Sequence, residues 1–193
     1  DRNENISRPR FIGLLEFAPK NIIYHNGGKY KINRVTPNDV SLDLNTIKIS
    51  KETNYAFLGK EDGKGKNQDP ITGTQFTGSN IELFQNLLEL EEVQSENTER
   101  ISCMEEVRAS EGYETGLYIN TVDNLIDATK IKLTVQGDEL MKLFYAPAAK
   151  LILLNKKWRH GMDDGFDIGT KSGFFKTKKQ LEKPSAEDPS ANI

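Results

Sequence analysis

Asn21–Val35 reads NIIYHNGGKYKINRV. Ile22, Ile23 and Tyr24 are β-branched or aromatic, the side chains that suit a pleated, half-buried surface. Asn26, Gly27 and Gly28 then supply residues that tolerate positive φ, and Tyr30, Ile32 and Val35 resume the apolar pattern. Tyr30, Ile32 and Arg34 alternate with Lys29, Lys31 and Asn33, so one face is buried and the other wet. The stretch predicts a β-hairpin, and hairpins set the expectation for the rest of the chain.

Working outward, FIGLLEF (11–17) reads as a short strand after Pro9, and SLDLNTIKIS (41–50) alternates with Leu42, Leu44, Ile47 and Ile49 inward. IELFQNLLELEEV (81–93) is ambiguous: Leu83, Leu87 and Leu90 suit a helix, while LLELEEV (87–93) also suits a strand. Ser102-Cys103-Met104-Glu105 has the form of a capping box, which predicts a short helix from about Cys103 to Ser110 that Gly112 stops. Strand-like runs follow: YETGLYIN, KIKLTVQ, LMKLFYA, AKLILLNKKW and GFDIG, with a hairpin around Thr170–Gly173. The polar end PSAEDPSANI (184–193) predicts disorder. The expected fold is therefore α+β and predominantly antiparallel β, built of hairpins with one or two short helices. A small barrel-like sheet is one arrangement of those strands. Residues 1–183 form one expected domain and 184–193 a disordered tail.

The chain has 193 residues, 36% of them hydrophobic and 28% charged, enough for a real core. No apolar run approaches the roughly 18–20 residues of a membrane helix, so a membrane is not an expected partner. One cysteine excludes an internal disulfide and fits a reducing compartment, here the cytoplasm. A start without Met reads as a fragment of a longer protein. Charge is uneven: residues 1–129 hold 14 Lys+Arg against 21 Asp+Glu, whereas residues 130–183 hold 12 against 6. A basic third permits a nucleic-acid face without requiring one.

Catalytic patterns are missing. GKEDGKGKN (59–67) fails as a phosphate loop, because Lys60 stands five positions before Gly65 and Asn67 follows Lys66 where Ser or Thr is needed. His25 and His160 belong to no metal-ligand pattern. Cys103 lacks an obvious histidine partner, and Glu91-Glu92 and Glu105-Glu106 read as solvated pairs. No autonomous enzyme is expected. The basic clusters are the candidates for binding: Lys156, Lys157, Trp158 and Arg159, then Lys176, Lys178 and Lys179. Cations neutralise phosphates while an exposed tryptophan stacks on a base; the competing account puts Trp158 in the core with lysines around it. An acidic set (Glu89, Glu91, Glu92, Glu96, Glu99) offers a face for a basic protein partner instead.

Four blocks in order carry a resemblance: SRPRFIGLLEFAPKNIIYHNGGKYKINRV (7–35), NTERISCMEEVRASEGYET (97–115), LFYAPAAKLILLNKKWRH (143–160) and GFDIGTKSGFF (165–175). Together they resemble the region that follows the motor core in large bacterial superfamily-two helicases, among them the DrmA-type helicases of the DISARM phage-defence system. The resemblance implies a non-catalytic accessory domain of an ATP-dependent helicase, which guides DNA (or RNA) or docks a partner subunit. ATP and Mg²⁺ would belong to the motor domains in cis, and no cofactor is expected in this chain. A protein–protein interaction module without nucleic-acid binding is the alternative. Relatives carry paired C-x-x-C zinc knuckles after the hairpin. The matching positions here are Ser50, Thr53, Asp69 and Thr72, and hydroxyls with one carboxylate do not hold structural zinc. About 48–80 is thus an expected degenerate zinc-ribbon-like insertion without metal, stabilised by packing of Tyr55, Phe57 and Phe76.

Overall fold

The computed structural model describes residues 4–36, 44–59, 66–100, 112–121, 129–159, 164–176, 181 and 189–193. Among them the chain is mainly antiparallel β with one short helix, in the order α1 (Arg10–Glu16), β1 (Ile22–His25), β2 (Gly28–Val35), β3 (Asn45–Ser50), β4 (Ala56–Gly59), β5 (Ile81–Leu87), β6 (Val93–Arg100), β7 (Tyr113–Asn120), β8 (Thr129–Val135), β9 (Asp138–Tyr145), β10 (Lys150–Trp158), β11 (Asp167–Gly169) and β12 (Ser190–Asn192). The strands form sheets of two or three members, ordered β1-β2-β6, β4-β3-β5, β7-β10, β8-β9 and β11-β12. These described sheets stay open, in place of the barrel-like closure considered above; sheets this narrow cannot curl back on themselves. The predicted helix near Cys103–Ser110 lies outside the described residues.

The chain falls into two compact units, residues 1–44, 85–116 and 153–193, and residues 45–84 and 117–152. In the first unit the hairpin of the opening stretch is present. Ile23 pairs with Tyr30 and His25 with Gly28, while Asn26 (φ 45°) and Gly27 (φ 75°) make the turn. Two central residues with positive φ match the right-handed twist of the flanking strands. On its other side β2 pairs with β6, with irregularities at Lys29/Tyr30 and Ile32/Arg34. The second irregularity shifts the phase, so Ile32 and Val35 are buried and Arg34 lies over the Phe174 ring at 5.4 Å.

FIGLLEF is helical, not extended. Gly13 N–H donates to the Pro9 carbonyl and Phe17 N–H to the Gly13 carbonyl, both at 2.8 Å. The Asn21 amide donates to the Leu15 and Glu16 carbonyls at 3.1 and 2.9 Å, closing the helix end. Asn21 thereby satisfies carbonyls that a seven-residue helix would otherwise leave to water. The expected tail also differs: Ser190–Asn192 pair antiparallel with β11, and Ile193 packs on the Val35–Ile168 core together with Leu88, Leu90, Val93 and Phe175. The hairpin around Thr170–Gly173 closes with Ile168 opposite Phe175.

In the second unit β3 pairs with β4, Ile47 opposite Leu58 and Ile49 opposite Ala56. Ile47, Ile49, Tyr55, Ala56 and Tyr118 form its buried set. The Tyr55 hydroxyl is shared with Thr121 Oγ1 at 2.9 Å, so the buried phenol is satisfied. Of the ambiguous 81–93 stretch, Ile81–Leu87 is the strand β5, which borders β3, residues 88–92 are neither helix nor strand, and Val93 opens β6.

Candidate interaction surfaces

Lys156, Lys157 and Trp158 close β10, and Arg159 follows. Trp158 is half-buried. Its ring lies 5.2 Å from Tyr113 and 5.4 Å from Phe166, with the Lys20 ammonium 5.5 Å from its centroid. The Tyr113 hydroxyl donates to the Pro19 carbonyl at 2.7 Å, anchoring the cluster to the chain ahead of the hairpin. A ring held by two aromatics and a cation is a packing element first. Lys157 reaches Asp164 at 3.2 Å and Glu114 at 3.9 Å. The Lys156 carbonyl accepts from Gly165 N–H, and Arg159 N–H donates to Gly112. The Lys176 carbonyl accepts from Lys20 Nζ at 3.3 Å. Lys20 thus joins the tryptophan to Lys176, a link no sequence spacing suggested. Lys178, Lys179, His160 and Cys103 lie outside the described residues.

Of the acidic set, Glu89, Glu91, Glu92 and Glu96 are exposed. Glu89 approaches Arg10 at 3.7 Å, with both side chains largely in water, and Glu96 accepts from the Asn33 amide at 3.2 Å. Glu99 stands in β6.

The surface that sequence reasoning passed over is the β8–β9 ribbon. Register places Ile131 opposite Leu143, Leu133 opposite Met141 and Thr129 opposite Tyr145. Because side chains alternate across a strand, Ile131, Leu133, Val135, Met141, Leu143 and Tyr145 share one face. Each is 48–64% exposed. The opposite face carries Lys130, Lys132, Lys142 and Phe144, and a register shift between Leu133 and Thr134 brings Glu139 to that face as well. Glu139 pairs with Lys142 at 3.0 Å and Lys132 at 3.5 Å. The hydrogen bond from Lys142, opposed by partial desolvation and aided by both lysine charges, holds the Glu139 carboxyl below its ordinary value. Lys130 Nζ donates to the Ile71 carbonyl at 2.7 Å. The period-two alternation of KIKLTV was a visible signal for this ribbon. Alternation says that one face is apolar, but not that the chain leaves that face uncovered.

Of the four positions matched to zinc ligands, Ser50, Thr53 and Asp69 meet by their side chains, whereas the Thr72 hydroxyl engages Glu52 and Thr74. Asp69, 1% exposed, accepts from Thr53 Oγ1 at 2.6 Å, from Ile71 N–H at 2.7 Å and Thr72 N–H at 3.3 Å, and from the Ser50 side chain. Burial alone would push its carboxyl up; these donors outweigh burial, and it sits below the ordinary 3.8. Hard oxygen donors already engaged in hydrogen bonds do not fit a structural zinc ion. Among the described residues no group of three or more His, Cys, Asp and Glu could hold a metal. Phe57 stacks obliquely on Tyr55 at 5.1 Å and edge-on to Phe76 at 6.1 Å, the packing expected for this insertion.

Compared with protein-family models, curated proteins and solved structures, the chain matches none.

Proposed function

We propose that the chain is a non-catalytic accessory module that docks a protein partner through the apolar face of the β8–β9 ribbon. One observation carries this reading: six large apolar side chains on one face of a two-stranded ribbon, all about half exposed or more. Two-stranded ribbons are marginal in water unless a hydrophobic face is packed. Six such side chains expose on the order of 500 Å² of apolar surface, at the upper end for a monomer and more than half of a standard interface's contribution from one side. The fitting partner presents an apolar strip of its own, since the lysines of the ribbon lie on its other face, where Lys132 and Lys142 pair with Glu139 and Lys130 donates to the Ile71 carbonyl. On the resemblance described above, such a partner belongs to an ATP-driven helicase assembly, either its motor lobes or a neighbouring defence subunit. Guidance of DNA along Lys156–Arg159 is the competing reading.

The test is a photo-crosslinking residue placed at position 133 on the apolar face or at position 132 on the charged face, in cells that express the chain. Position 133 should trap one discrete protein and position 132 should not. Once purified, that protein should bind the wild-type chain and lose at least tenfold in affinity to the Leu133→Glu, Leu143→Glu variant. Equal trapping from both positions, adducts to nucleic acid or lipid, or unchanged affinity of the variant would each overturn the reading. DNA guidance predicts instead that Lys156→Ala, Lys157→Ala and Arg159→Ala together weaken oligonucleotide binding and flatten its salt dependence.

A further inference from the structure

Three turns in this chain are built alike. In Ser50–Tyr55, Asp69–Thr74 and Gly169–Phe174 the first N–H donates to the sixth carbonyl, at 2.8, 2.8 and 2.9 Å, and the fifth N–H donates back to the first carbonyl, at 2.9, 2.7 and 2.7 Å. The fourth residue is a hydroxyl in each. Thr53, Thr72 and Ser172 accept from the N–H two positions on, at 3.2, 3.3 and 3.3 Å. The fifth residue has positive φ in each: Asn54 at 57°, Gly73 at 77° and Gly173 at 72°. Glycine and asparagine are the residues that take this conformation at least cost.

Two of the three turns are joined, both in the second unit. The Asp69 carboxylate, first residue of its turn, accepts from Ser50 and Thr53, the first and fourth residues of the other. It also accepts from the third and fourth N–H groups of its own turn. The side chains of Ser50, Thr53 and Asp69 therefore meet around one point, which Thr72 reaches through its backbone N–H while its hydroxyl engages Glu52 and Thr74. Residues one and four of two loops gathered around one point are the arrangement by which a tetrahedral metal cross-links a chain. Here a fully engaged carboxylate is the cross-link.

We infer that Ser50–Tyr55 and Asp69–Thr74 are the frame of a four-ligand metal centre whose cross-linking role is carried by the Asp69 carboxylate. The frame holds the loops by charge-assisted hydrogen bonds, and the unit is independent of metal supply and of thiol oxidation. The third turn fits the same logic. Its first residue, Gly169, has no side chain, and the turn serves a hairpin.

The experiment has two arms. In the first, the full chain carrying Ser50→Cys, Thr53→Cys, Asp69→Cys and Thr72→Cys is refolded with Co²⁺. It should bind one ion with the intense visible absorption of tetrahedral cobalt–thiolate and regain the wild-type circular dichroism, while the wild-type chain binds none. In the second, Asp69→Asn should lower the melting temperature by roughly 4–8 °C, from the loss of about 2 kcal/mol in buried charged hydrogen bonds, and chelator should leave the wild-type melting temperature unchanged. A cysteine variant that binds no cobalt, binds it without the tetrahedral signature, or fails to fold with cobalt present would overturn the inference. Stoichiometric zinc in the wild-type chain, or an Asp69→Asn variant that melts like wild type, would do the same.

Discussion

Asp69 is a carboxylate whose burial by itself favours the protonated form. Four donors keep it ionised, and the consequence is a pH dependence with a definite sign. Its folded value lies below 3.8, whereas an unfolded aspartate titrates at about 3.9. The stabilisation is thus complete above the unfolded value and disappears as pH falls through the folded one. Urea midpoints of the wild-type chain should therefore drop as pH falls below about 4, and those of Asp69→Asn should be lower at pH 7 but flatter over the same descent. The resemblance matched Ser50, Thr53, Asp69 and Thr72, and the structure brings the first three side chains and the Thr72 N–H to one point. The hub itself was not legible, because which hydroxyl donates to which oxygen depends on a fold that juxtaposes loops fifteen residues apart. Trp158 shows the opposite case. Its neighbours in sequence are cations, whereas its neighbours in space include Tyr113, Phe166 and Lys20.

Among the elements, the β1–β2 hairpin was readable because its turn chemistry and its alternation agree. Asn26-Gly27 supplies positive φ where the two-residue turn demands it. Gly27→Ala should cost about 1 kcal/mol, since alanine resists φ near 75°. The β8–β9 turn uses Gln136 at φ 53° and Gly137 at φ 95°, and glutamine is poorly suited to that region. Gln136→Asn should accordingly stabilise by a few tenths of a kcal/mol, and paired urea titrations of the two variants should show opposite shifts. The helix α1 was misread because seven residues carry too little periodicity to separate a helix from a strand. What decides it is Asn21, whose amide closes the last carbonyls from the foot of β1. Similarly, the irregularity at Ile32/Arg34 moves burial from Arg34 to Val35, and no alternation count reveals a register shift.

At the scale of the molecule, the last residues matter more than their composition suggests. Ser190–Asn192 extend the sheet beside β11 and Ile193 N–H donates to the Phe166 carbonyl at 2.9 Å, so a polar tail completes a core strand. A chain ending at Asp188 should lose about 1–3 kcal/mol in the first unit from lost apolar burial and strand pairing, visible as earlier urea unfolding and faster amide exchange at Ile168; unchanged protection there would contradict the assignment. The division into two units was likewise hidden, because each is assembled from segments far apart in sequence and no linker marks the boundary. Local chemistry determined the β character, the hairpins and the absence of a helix-length membrane run: backbone preference and period-two patterning act over a few residues and can be read there. Tertiary structure alone decided that Asp69 is a hub, that Trp158 is packed, and that the β8–β9 ribbon shows its apolar face to solvent. Burial and hydrogen-bond partnership depend on which distant residues a fold brings within a few ångströms.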